Sequence, residues 1–202
     1  PFLWRALGED LLLRWSEPHR HYHDLVHLQD VLLALDQLAD LGEVVEPVAL
    51  LAAWFHDAVY DGSPGVDERR SADLARSELR GVGLSPALAA DVARLVRATT
   101  PGGSPPDVTA GGGAVVAALA VLRDADLAIL AAGEKRYAAY TTAVRREYAH
   151  VPDGRFRRGR AAILEGFLAE PWIYHTPTGR ARWEERARAN LAREITHLRA
   201  EG

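Results

Sequence analysis

Apolar residues recur at intervals of three and four along almost the whole chain, and no segment sustains the alternation of a half-buried strand with β-branched enrichment. That pattern restricts the chain to an all-α fold, and it predicts about nine helices in one domain over 1–202. The first runs from Phe2 to about Trp15 and stops at Ser16-Glu17-Pro18; the second runs from about Tyr22 to Leu41, with Gly42 as its stop. Glu46-Pro47 opens a third that continues to Tyr60. It is apolar nearly all round, the mark of a central buried helix. Further helices are expected over 67–80, 86–98, 114–132, 134–150, 155–169 and 180–200. The Gly- and Pro-rich stretch 101–113 reads as a flexible surface loop.

The chain has 202 residues, no cysteine and eight histidines, so a metal would have to be held by imidazoles and carboxylates. Disulfides, thiolate nucleophiles and zinc fingers are excluded by the same count. A net charge of -4 argues against nucleic acid as the partner, because chains that coat phosphates carry a basic surplus. No apolar run approaches the roughly 20 residues that span a bilayer. The start Pro1-Phe2-Leu3-Trp4-Arg5 has no basic leader, and the expectation is a cytoplasmic location without membrane contact.

Three segments interrupt apolar helix faces with chemistry. His56-Asp57 lies inside Ala52-Ala53-Trp54-Phe55-His56-Asp57-Ala58-Val59-Tyr60, where burying two ionisable groups is costly unless each is paired or binds a metal. His23 and His27 stand four apart on one face of the second helix. Leu122-Arg123-Asp124-Ala125-Asp126-Leu127 sets two carboxylates into a run of Ala, Val, Leu and Ile. One shared metal site would account for all three; the bland alternatives are helix ends that meet solvent.

A His early in a helix, a His-Asp pair about 30 residues later and an Asp in an Ala-Asp-Leu context well beyond resemble the HD superfamily of metal-dependent phosphohydrolases. The likeness extends to a branch of HD phosphohydrolases without a settled substrate. It takes in Arg20-His21-Tyr22-His23, Asp67-Glu68-Arg69-Arg70-Ser71-Ala72, Val144-Arg145-Arg146-Glu147-Tyr148 and Ala187-Arg188-Ala189-Asn190-Leu191, over about residues 4 to 195. Where that branch carries Glu-Asn-Glu, this chain has Gly65-Val66-Asp67-Glu68 and keeps the last Glu only.

The resemblance implies an HD-domain-like helical bundle with His27, His56, Asp57 and Asp126 as ligands of one divalent ion. The donor mixture suits Mn, Mg, Fe, Co, Ni or Zn. Asp126 is preferred because the motif places the ligand before the Leu, and Asp124, about 200° away round a helix, cannot face the same ion. Relatives with two metals use further histidines between the His-Asp pair and the final Asp. None lies between Asp57 and Asp126, which favours one metal.

The activity implied is hydrolysis of a small phosphorylated molecule, such as a nucleotide, by metal-activated water. Glu68, accompanied by Asp67, is the candidate for orienting or deprotonating that water; the competing role for both is as N-terminal helix charges favoured by the macrodipole. Arg20 and Arg145 are the candidates for the phosphate, with Arg160 a weaker one beside the basic run Arg155, Arg157 and Arg158. His23 is assigned to the substrate or to the metal's surroundings. His19, His21, His150, His175 and His197 are left with surface or structural roles. The alternative function is a non-catalytic HD binding or regulatory module that keeps its metal as a staple.

Overall fold

The computed structural model describes residues 2–100 and 112–200, and among these there is no β-strand. The helices are α1 (Phe2–Trp15), α2 (Leu25–Asp40), α3 (Pro47–Phe55), α4 (Asp67–Gly81), α5 (Pro86–Ala98), α6 (Gly112–Asp126), α7 (Glu134–Glu147), α8 (Asp153–Ala169) and α9 (Pro177–Ala200), with a 3-10 turn over Leu127–Ala131 after α6. The loop expected over 101–113 lies outside the described residues up to 111, and its last two glycines already belong to α6.

Helix α3 is the centre of the bundle, contacting α2, α4, α5 and α6. Ala49, Ala52 and Ala53 are fully buried along it, and small side chains let four neighbours approach one short helix. Helices α4 and α5 pair closely through Ala72, Ala75, Ala89 and Ala93, all fully buried. Every helix places at least one apolar residue in a single contiguous core, from Leu7 and Trp15 in α1 to Leu164 in α8 and Leu191 in α9. The apolar stripes read from the sequence therefore meet one another.

Several boundaries differ from the sequence expectation, for local reasons. Helix α2 starts at Leu25, three residues late, because the Asp24 carboxylate accepts from the Val26 and His27 amides and caps it there. Helix α3 stops at Phe55 and not Tyr60. The His56 ring donates through Nδ1 to the Ala53 carbonyl at 2.8 Å, the acceptor that a continuing helix would offer to the Asp57 amide. Helix α9 starts at Pro177, earlier than Arg180, because Thr176 caps it through Oγ1 and the Gly179 amide.

Candidate metal centre

The end of α3 delivers His56 and Asp57, the first turn of α2 delivers His27, and the end of α6 delivers Asp126. Their donor atoms converge. His27 Nε2 lies 3.2 Å from His56 Nε2 and 3.2 Å from Asp126 Oδ1; His56 Nε2 lies 3.2 Å from Asp57 Oδ2 and 3.6 Å from Asp126 Oδ1. His27 Nε2 lies 3.8 Å from Asp57 Oδ2. A first-row ion bound at about 2.0–2.2 Å sets neighbouring ligand atoms roughly 3 to 3.6 Å apart, and these separations fall in that range except for the slightly longer His27–Asp57 one. His27, His56 and Asp57 form the group of potential ligands with the required mutual spacing.

The two imidazoles are buried, whereas the Asp57 and Asp126 side chains are 15% and 23% exposed, so the cluster opens on its carboxylate side. Since a carbonyl only accepts, the Ala53 contact fixes a proton on His56 Nδ1 and aims Nε2 at the cluster. Burial opposes charge on His56, but Asp57 and Asp126 outweigh it and raise its pKa well above the usual value. Burial likewise opposes ionisation of Asp57, yet His56 brings that carboxyl down to about 2. Asp126, despite burial, is held far below the ordinary range by hydrogen bonds from His27 and His56. The two carboxylates thus favour positive charge on His56, and the imidazole favours their ionised forms.

Asp124 is placed elsewhere. Fully buried, it accepts from the His175 amide at 2.6 Å and from the Thr176 amide and hydroxyl at 2.8 and 2.6 Å, tying α6 to the start of α9. The helical phase that separated it from Asp126 holds.

A cavity of about 90 Å³ lies on the open side, lined by His23, His56, Asp57, Asp67, Glu68 and Asp126 among others. Glu68 reaches it because the chain reverses between Asp57 and α4 through Gly62 and Gly65, both at positive φ (71° and 80°). The Gly65 amide donates to Glu68 Oε2 at 2.5 Å. Burial pushes the Glu68 carboxyl upward, and the Asp57 and Asp67 charges add to it. Asp67 caps the loop instead: its Oδ2 accepts from the Asp61 and Ser63 amides at 2.9 and 2.7 Å. Its buried Oδ1 has no donor among the described residues.

The arginines are engaged within the protein. Arg20 is 5% exposed and spent on the protein, donating to Glu17 and to the carbonyls of His23, Asp57 and Ala58. It positions the His-Asp turn and has no face left for phosphate. Arg145 donates to the Tyr148 and Val151 carbonyls and to Asp153, stapling the α7–α8 connection. Arg160, the weaker phosphate candidate, is paired with Glu194 and the Tyr140 hydroxyl, with its side chain 11% exposed.

Glu147 is the residue that sequence reasoning passed over. Its Oε1 accepts from the His21, Tyr22 and His23 amides at 2.8, 2.8 and 2.9 Å, while Oε2 meets His23 Nδ1 at 2.7 Å and the Tyr60 hydroxyl at 3.0 Å. It fixes the turn before α2 and aims the His23 ring, stacked on Tyr60, into the cavity. A signal was present: a glutamate as the last residue of α7 opposes the helix macrodipole and needs another reason to be there. Comparison with protein-family models, curated proteins and solved structures returned no match to this chain.

Proposed function

We propose that the chain is a metal-dependent phosphohydrolase of the HD type, acting on a small phosphorylated molecule with one divalent ion held by His27, His56, Asp57 and Asp126. The observation that carries the reading is the approach of His27 to His56, Asp57 and Asp126 at 3.2, 3.8 and 3.2 Å, beside a cavity that also receives Glu68 and His23. When bound, a divalent ion supplies Lewis acidity to a phosphoryl oxygen and lowers the pKa of water.

Glu68, with its carboxyl pKa raised by burial, suits removal of a proton from the attacking water. His23 has Nδ1 engaged by Glu147, which leaves Nε2 to donate to a phosphoryl or leaving-group oxygen. Burial works against charge on His23, but Glu147 and the site carboxylates raise its pKa, so it serves as the cation that Arg20 and Arg145 do not provide.

A second reading, a metal-stapled binding module without turnover, draws on the engagement of both those arginines in structural bonds. Metal analysis of the purified protein, followed by phosphate release from a panel of phosphate esters with the metal restored, separates the two. Release abolished in His56→Ala and Asp57→Ala supports the hydrolase; unchanged release sinks the site.

A further inference from the structure

A second cavity, of about 420 Å³, adjoins the metal centre, and His23, Pro64, Asp126 and Tyr148 line both spaces. This is a volume typical of pockets for small organic ligands. Away from the metal its wall is made of Leu127, Ile129, Leu130, Val144, Phe156 and Phe167. No Ser, Thr, Asn or Gln contributes to it; besides His23 and Asp126 at the shared wall, its polar groups are the tyrosine hydroxyls of Tyr22, Tyr140 and Tyr148, Arg160, and Arg155, which is exposed. The Tyr140 hydroxyl and Arg160 are already bonded to each other, and Arg160 also to Glu194.

We propose that this cavity receives the alcohol half of the substrate and that this half is apolar, making the substrate a phosphate monoester of a hydrocarbon alcohol. The inference rests on the phosphohydrolase reading for the phosphate end only. A nucleobase would leave several donors and acceptors facing aliphatic and phenyl groups, a cost of the order of 1–3 kcal/mol for each unsatisfied group. A hydrocarbon gains with every methylene it buries. The shared wall sets the ester oxygen where the two cavities join, beside His23 and Asp126, with the hydrocarbon pointing away from Glu68.

The test uses n-alkylphosphonates of one to ten carbons, which cannot be hydrolysed, titrated calorimetrically into the full chain with and without Mn²⁺. The dissociation constant is expected to fall about fourfold per methylene, from about 0.8 kcal/mol each, until the cavity is filled. Ile163→Glu, at a rim position 46% exposed, flattens this series without lowering the melting temperature. A series independent of chain length, or adenosine monophosphate binding more tightly than decylphosphonate, overturns the assignment. Chain-length-dependent binding without phosphate release from decyl phosphate keeps the apolar cavity and removes the hydrolase reading. Equal turnover of methyl phosphate, nucleotides and decyl phosphate does the reverse.

Discussion

The carboxylate of Glu147, at the end of α7, closes on His23, in the turn before α2, at 2.7 Å across 124 positions of sequence. With the other oxygen gathering three successive amides, this one side chain joins the two halves of the chain next to the His-Asp cluster. Glu147 is held at about 2, against burial, by the His23 hydrogen bond and charge. A lowered folded-state pKa contributes stability that is complete above the unfolded value near 4.5 and is lost as pH falls through about 2. The size is on the order of 3 kcal/mol. His23 has the opposite sign: its raised pKa contributes below about 6.5 and is lost as pH rises through the folded value. Denaturant melts of wild type and Glu147→Gln between pH 2 and 7 should differ most at pH 5 to 6 and converge near pH 2. A constant gap across that range would refute the coupling.

The three segments that meet in the cluster were legible in the sequence because each broke an apolar stripe with an ionisable group; helical phase set Asp124 and Asp126 on different sides, and the motif's Asp-Leu order chose Asp126. The arginines were not legible. Arg20 and Arg145 end on backbone carbonyls that only the folded turns present, and no periodicity reports a carbonyl. The end of α3 was hidden for a like reason, since the His56 ring replaces a backbone donor.

Arg20 carries the next expectation. Its guanidinium spans Glu17 and three carbonyls while packing over Trp15 and Tyr60, so a point charge cannot replace its planar fork. Arg20→Lys should lose about 2–4 kcal/mol and weaken metal binding at least tenfold by displacing Asp57. Thermal melts and metal titration read the two effects; a stable variant defective only in substrate KM would return Arg20 to the phosphate.

Asp124 and Asp126 should separate cleanly. Asp126→Asn is expected to lose bound metal and also some stability of the metal-free fold, because a carboxyl held far below its ordinary range by His27 and His56 stabilises the fold when ionised. Asp124→Asn should retain metal and unfold more easily, by about 1–3 kcal/mol. Gly179→Ala should resemble it, because a Cβ at that position would stand 2.3 Å from Asp124 Oδ2. Metal stoichiometry together with melting curves decides, and metal loss in the Asp124 variant would exchange the two assignments.

Glu68 bears on whether the centre turns over at all. Its carboxylate touches the Gly65 amide and the cavity but none of the four ligand atoms, so Glu68→Gln keeps the shape, the loop bond and the ion. For a general base the expected loss is 10²–10⁴-fold in kcat, with KM and metal content nearly unchanged. The acid limb of the wild-type profile should sit above the ordinary glutamate range, in keeping with the upward shift that burial imposes. A variant that loses stability but not turnover would instead make Glu68 a loop anchor through its bond to the Gly65 amide.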